Sequence, residues 1–157
     1  MDQNLKQYLR KHNIQYKFHE HPAVFTVEES KILKKDIPGL HTKSLFLKDD
    51  KARFYLVCML ADKRLDIKSL RKSLSLQKLH FASPEELKSE LNLTPGSVSI
   101  FGMIYAKSTK LLLDKDIWNA EITCFHPNIN TATLEITHEN LEIFYNSLNC
   151  EKQIIEL

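Results

Sequence analysis

Lys43, His126 and a glycine-bearing loop over residues 94–102 are the parts of this chain whose residue types and positions could do chemistry. Side chains alternate across a strand. In His41-Thr42-Lys43-Ser44-Leu45-Phe46-Leu47, therefore, Lys43 shares a face with Leu45 and Leu47, while Thr42, Ser44 and Phe46 share the other. Burying an ammonium costs several kcal/mol unless something offsets it. Lys43 is therefore expected at the wet end of its strand, facing a cleft where an anion or a polarised carbonyl can meet it. The same pattern also lets the amine snorkel past the leucines to solvent. Thr94-Pro95-Gly96-Ser97-Val98-Ser99-Ile100-Phe101-Gly102 holds two of the chain's three glycines. That suits backbone that bends tightly or comes close to a ligand, and equally a plain connecting turn. His126-Pro127-Asn128-Ile129-Asn130-Thr131 sets an imidazole at a strand end, where it meets either a ligand or only water. Walker-type phosphate loops and the GxGxxG, GxSxG and HExxH motifs do not occur, which removes the best-marked enzyme classes.

Periodicity and punctuation define the elements that must position these residues. Residues 2–13 carry Leu5, Tyr8 and Leu9 at helical spacing, with Arg10, Lys11 and His12 in the last turn, where cations suit the helix dipole. Residues 16–21 alternate and stop at Pro22 as a strand. His19 and His21 share one of its faces, but no third ligand joins them at a recognisable spacing, so a metal site is set aside. Thr26 caps a helix, Glu29 completes a capping box, and Ile32 and Leu33 are expected on the buried side. The strand of Lys43 turns at Asp49-Asp50-Lys51-Ala52 into residues 53–61, an apolar run that belongs to a central strand covered on both faces. A turn centred on Asp50-Lys51 sets Lys43 across from about Cys58. Asp62-Lys63-Arg64-Leu65-Asp66 is expected to start a helix with Ile67, Leu70 and Leu74 inward.

Residues 78–82 form a short strand, and Ser83-Pro84-Glu85-Glu86 opens a helix with an N-cap, a first-position proline and a capping glutamate. Strands over 110–114, 121–126 and 131–136, a helical turn at 116–118 and a final helix capped by Thr137 follow. The tail after Cys150 has no assignable pattern. Strands and helices interleave, which predicts a mixed α/β or α+β fold.

At 157 residues the chain is expected to form one domain, since a chain of ~150 residues buries roughly two thirds of its unfolded surface. Hydrophobic content of 43% with 27% charged residues is ordinary for a globular protein, and no apolar run approaches the ~20 residues of a membrane span. The start Met-Asp-Gln-Asn-Leu-Lys has neither the basic nor the apolar region of a signal peptide, so a cytoplasmic location is expected. Cys58, Cys124 and Cys150 are an odd number without CxxC spacing, which argues for reduced thiols over disulfides or structural zinc. A net charge of +2 is too small for bulk attraction to nucleic acid. Positive charge is local, at Lys31, Lys34 and Lys35 and at Lys63, Arg64, Lys68, Arg71 and Lys72, where it marks either an RNA-facing surface or solvated helix faces.

Several runs resemble a known family when taken together and in order. They are His21-Pro22-Ala23-Val24-Phe25-Thr26, Gly39-Leu40-His41-Thr42-Lys43-Ser44-Leu45-Phe46-Leu47, Asp62-Lys63-Arg64, Phe81-Ala82-Ser83-Pro84-Glu85, Leu93-Thr94-Pro95-Gly96-Ser97-Val98-Ser99 and Phe125-His126-Pro127-Asn128-Ile129-Asn130-Thr131-Ala132-Thr133. These cover nearly the whole chain and resemble the YbaK/ProX-type prolyl-tRNA editing domains, most closely the freestanding branch that clears alanine. The resemblance implies a curved mixed β-sheet flanked by helices and hydrolysis of the ester joining a wrong amino acid to tRNA. It further implies alanine on tRNA(Pro) as the usual substrate of this branch, with cysteine that of the YbaK branch.

By the same resemblance Lys43 is the family's essential lysine, Gly96 opens its GxxxP loop, and His126 and Asn130 line the pocket. Lys43, Gly96 and His126 are thereby the expected catalytic residues, with Thr42, Ser44, Ser97, Val98, Ser99, Ile100, Phe101, Asn130 and Thr131 at the substrate. The expected partners are the acceptor end of a mischarged tRNA(Pro) and, beyond it, a prolyl-tRNA synthetase, without DNA, membrane, metal or cofactor. The family is thought to recruit a ribose hydroxyl of the substrate itself, which fits the lack of a nucleophile triad. Two positions depart from the pattern: Ile100 stands where the loop usually has proline, and Ser44 where asparagine commonly follows the lysine. Three other readings stand beside this one: the same chemistry on Cys-tRNA(Pro) or another small residue, a non-catalytic tRNA- or synthetase-binding module, and a thiol mechanism through Cys58.

Overall fold

The computed structural model describes residues 1–23 and 26–157; Val24 and Phe25, inside the first of the family-like runs, lie outside the described residues. In chain order the elements are α1 (Gln3–Lys11), β1 (Lys17–Glu20), α2 (Val27–Lys34), β2 (Leu40–Asp49), β3 (Phe54–Leu60), α3 (Ile67–Ser73), β4 (Leu79–Phe81) and α4 (Pro84–Leu91). A 3-10 helix (Ile100–Tyr105) follows, then β5 (Lys110–Asp114), α5 (Lys115–Trp118), β6 (Ile122–Phe125), β7 (Ala132–Thr137), α6 (His138–Ser147) and β8 (Lys152–Ile155). The strands join in one mixed sheet of order β1-β7-β6-β2-β3-β5-β8, with β4 added to β2. The mixed α/β fold expected from the interleaved pattern is the one observed.

β3 lies between β2 and β5, and its alternate side chains serve two cores. Leu56 and Cys58 face the larger core, with Phe46, Leu111, Leu113, Phe101, Phe125 and Phe144. Tyr55 and Val57 face the smaller one, with Leu47, Leu112, Leu70 and Leu79. Burial on both faces is why this strand reads as an unbroken apolar run.

N-caps form at the expected residues: Thr26 and Thr137 accept from backbone amides, and Ser83 with Glu86 makes a full capping box. The helix expected from Asp62 begins later. Asp66 is the N-cap of α3, and the preceding residues form a turn off β3 in which Lys63 N–H donates to the Leu60 carbonyl at 3.1 Å. The hairpin register differs by one residue, with Lys43 opposite Met59 and Ser44 opposite Cys58. The Asp49 amide donates to the Arg53 carbonyl, so three residues form the loop, and Ala52 sits at φ +58°. Ile32, expected inside, is 68% exposed. The opposite face of α2 covers a cavity, as described below, and the placement of the Leu33 side chain lies outside the described residues. The unassigned tail forms β8, parallel to β5, too short and mixed in residue type to show an alternation.

Candidate active site

β2 changes neighbours along its length. One edge pairs with β3 from Thr42 to Lys48. The other pairs with β6 only at Leu40 and His41, and with β4 only from Leu47 onward. Where β6 departs, the Thr42 hydroxyl donates to the Cys124 carbonyl at 2.7 Å, holding the two strands together at the point of separation. Beyond it β6 ends at Phe125, with His126 in the next position.

A cavity of about 600 Å³ opens against this junction, and Thr42, Lys43, Gly96 and His126 all line it. The chain thus brings together residues more than eighty positions apart. The Lys43 amine donates to the main-chain carbonyl of Lys63, in the turn after β3. His126 presents Nδ1 to the Ala132 carbonyl at 3.4 Å, across its own loop. Gly96 has φ +93°, a conformation that favours glycine, and an added Cβ would come within 3.9 Å of Asn130 Nδ2. Asn130 therefore lies beside the loop that Gly96 turns. Asn128 ties the two loops together, its Nδ2 donating to the Phe101 carbonyl at 3.3 Å.

The other sequence-predicted contacts fall away from the cavity. Ile100 and Phe101 are fully buried in the larger core, Val98 packs against it, and Ser99 caps the 3-10 helix by accepting from Phe101 N–H at 3.2 Å. Ser97 turns its hydroxyl to the Thr94 carbonyl at 3.1 Å. None of these five lines the cavity; their side chains pack on the core or bond within the loop. Ile100 occupies the first position of the 3-10 helix, where a proline would also fit because the N–H there has no intrahelical acceptor. Its rigidity comes from burial instead of from a ring. Thr131 is exposed on a different hollow, with Met1, Phe18 and His21, and its carbonyl accepts from His21 N–H at 3.0 Å. Ser44 donates to Cys58 Sγ at 3.2 Å, towards the core. Burial pushes the Cys58 thiol up to about 12, against a smaller opposing effect of Ser44. A protonated thiol enclosed in the core is no nucleophile, which removes the Cys58 mechanism.

The sequence reading missed the far wall. α2 and the segment after it contribute Ser30, Lys31, Lys35 and Ile37, and the end of β3 and the turn after it contribute Leu60 and Asp62. The signal was present in part, since Lys31 and Lys35 belong to a local cation cluster. Three lysines against one aspartate make the lining cationic, with apolar floor from Ile37, Leu40 and Leu60. Such a cavity suits an anionic ligand with a small polar reacting end. His19 and His21 are engaged with β7, through Glu135 at 2.9 Å and Thr133 at 2.9 Å respectively. Among the described residues no cluster of histidine, cysteine or acid side chains could hold a metal, and no helix is long and apolar enough to cross a membrane.

The sequence and the fold have known counterparts. Residues 21–144 match the aminoacyl-tRNA editing domain, and the chain belongs to that family. The prolyl-tRNA editing protein ProX of Acetoanaerobium sticklandii is 36% identical over 132 residues, covering 82% of this chain and 80% of that protein. The prolyl-tRNA synthetase associated domain-containing protein 1 of Danio rerio is 34% identical over 142 residues, covering 87% and 77%. A solved structure provisionally assigned as a trans-editing enzyme for prolyl tRNA synthetase superposes with a TM-score of 0.77 at 20% identity, covering 99% of this chain and 94% of that one, a likeness of fold.

Proposed function

We propose that this protein is a trans-acting deacylase that hydrolyses the ester of mischarged Ala-tRNA(Pro), with residues 1–157 working as one editing domain. The observation that carries this reading is the single cavity lined by Thr42, Lys43, Gly96 and His126. The relative from Acetoanaerobium sticklandii, named for prolyl-tRNA editing, supports the choice of RNA.

An aminoacyl ester is already activated, so the catalyst chiefly positions water and stabilises the oxyanion. Lys43 donates to a main-chain carbonyl, and a phosphate or an ester carbonyl oxygen can replace that neutral acceptor. Ser97 N–H is engaged with the Thr94 carbonyl, and the Phe101 and Gly102 amides with Ser99. Gly96 is the loop residue that lines the cavity, and its amide is assigned as the donor to the oxyanion. His126 and Asn130 flank the terminal ribose and its free hydroxyl. Alanine is accepted and larger acyl groups are refused by clash, a filter that needs no chemical recognition of a methyl group. The acceptor end enters past Lys31 and Lys35. A prolyl-tRNA synthetase is the natural supplier of the substrate, and the cytoplasm the place where the two meet.

The test is a deacylation panel on Ala-, Cys- and Ser-tRNA(Pro), with Lys43→Ala as the control. Ala-tRNA(Pro) should be cleared fastest, and Lys43→Ala should abolish clearance while circular dichroism and melting stay close to wild type. Faster loss of the cysteinyl ester moves the protein to the other substrate branch. Hydrolysis of all three esters at the buffer rate refutes the reading in favour of a binding module.

A further inference from the structure

The acceptor of the Lys43 amine is itself held by a cluster that the deacylase mechanism does not use. Lys63 offers its carbonyl to Lys43 and sends its side chain the other way, into the sheet end formed by β5, α5 and β8. There its amine reaches Asp114 Oδ2 at 2.8 Å, Asp116 Oδ2 at 2.6 Å and the Leu157 carbonyl at 3.2 Å. Asp114 is 1% exposed and fixed twice over, as the last residue of β5 and as the N-cap of α5, where it accepts from Asp116 N–H at 3.1 Å. The backbone of the turn is tied by Ala61 N–H to the His41 carbonyl at 2.9 Å and by Lys63 N–H to the Leu60 carbonyl at 3.1 Å. The side chains of Ala61, Asp62, Arg64 and Asp66 are exposed, however, which leaves Lys63 as the residue whose side chain ties the turn to β5 and α5. A short turn with exposed neighbours opens locally at low cost unless a side chain pins it.

We propose that Lys63 is a positioning residue, its side chain clamped by Asp114 and Asp116 so that its carbonyl fixes the Lys43 amine at the cavity. The consequence for catalysis rests on the deacylase reading; the positioning itself does not. The clamp is robust because removing one partner of a pair with a buried carboxylate leaves that charge uncompensated. Desolvation opposes the charge on Lys63, but the two carboxylates outweigh it and raise its pKa, so the clamp stays charged throughout the neutral range.

Three variants test it: Lys63→Met, which removes the clamp; Lys63→Arg, which keeps a cation able to reach both carboxylates; and Asp114→Asn, in which asparagine still serves as an N-cap. Reductive methylation of Lys43, followed by mass spectrometry, reads the freedom of the amine without reference to activity. Lys63→Met should be labelled at Lys43 several times faster than wild type, Asp114→Asn by a smaller factor, and Lys63→Arg at nearly the wild-type rate. In deacylation, Lys63→Met should lower kcat about tenfold or more with KM within about twofold, since a reacting group misplaced by about 1 Å can cost about a hundredfold. Lys63→Arg should recover most of it. Unchanged Lys43 labelling in both Lys63→Met and Asp114→Asn overturns the proposal, whatever the activities. Should Lys63→Met fail to fold, Asp114→Asn decides alone. If the wild type deacylates nothing, the functional reading fails while the labelling still judges the clamp.

Discussion

Replacing Gly96 by alanine separates backbone geometry from bulk. At φ +93° an L side chain is strained, yet the nearest atom to an added Cβ is Asn130 Nδ2 at 3.9 Å, so space is not the obstacle. The penalty is conformational, on the order of 1–2 kcal/mol. For a chain of this size each kcal/mol lowers Tm by about 2–4 °C, so holding the loop unchanged would cost about 2–8 °C. Gly96 is exposed, and its loop is anchored on either side by buried Leu93 and Ile100. The cheaper response is for the segment between these anchors to shift, which moves the Gly96 amide off line. A displacement of about 1 Å at a reacting group can cost about a hundredfold. Gly96→Ala should therefore lower single-turnover deacylation of Ala-tRNA(Pro) about a hundredfold while Tm falls by no more than about 8 °C. Gly102→Ala is the contrast. Its Cβ would lie 2.5 Å from Leu93 Cδ1 in the core, an overpacking cost of about 1–3 kcal/mol. That variant should lose Tm and keep its turnover per folded molecule within a few fold. If Gly96→Ala melts lower but turns over like wild type, the loop backbone has no part in the chemistry and the oxyanion assignment fails.

Cys58→Ala should retain deacylation and lose about 1–2 kcal/mol of stability in urea titrations, because the thiol is enclosed and the change leaves a small void beside Ser44. Loss of activity in a folded Cys58→Ala would restore the thiol mechanism. Asp49 accepts from Lys51 N–H, Arg53 N–H, Arg53 Nε and the Tyr55 hydroxyl. Desolvation would raise its pKa, but these bonds together prevail and hold it below that of an ordinary aspartate, so its stabilisation is present above the unfolded-state pKa and disappears as pH falls through the folded-state pKa. The urea midpoint of Asp49→Asn should accordingly lie below wild type at neutral pH and converge with it in acid; a gap independent of pH would contradict the assignment. Lys31→Ala and Lys35→Ala should each weaken tRNA(Pro) binding and flatten the slope of log K against log salt by about 0.7–0.9, the share of one phosphate contact. An unaltered slope would put the acceptor end elsewhere.

Legibility tracked how local each determinant was. The caps at Thr26, Ser83 and Thr137 were readable because the bonds that make them span three residues. The central position of β3 was readable because burial on two faces leaves no room for polar residues. Ile32 was misread since its helix covers a cavity, and amphipathic spacing cannot distinguish a cavity wall from a core wall. β8 was missed because a short edge strand owes its pairing to β5 more than to its own pattern. At the site, Lys43 showed itself as a cation among leucines. The link from Lys63 to Asp114 spans 51 residues and left no mark in spacing. The packing of Ser97 to Phe101 was not legible either, because a loop's spacing does not show which of its side chains turn to the core.

The interruption of the sheet explains why a lysine is tolerated at position 43 at all. A strand paired along its whole length on both edges and covered on both faces needs apolar residues throughout, as in β3. Among the described residues, β2 has no strand neighbour on one edge between its last contact with β6 at His41 and its first with β4 at Leu47. Over that interval His41, Thr42, Lys43 and Ser44 are each only half-buried, whereas Phe46 and Leu47, nearer the resumed pairing, are buried. The gap also determines what the lysine can touch. With β6 turned away, the segment after β6 brings His126 to one side, the turn after β3 brings the Lys63 carbonyl to another, and the loop of Gly96 closes a third. Extending β6 or β4 to complete the ladder would stabilise backbone pairing and eliminate the cavity. The cation is retained because the sheet is incomplete there.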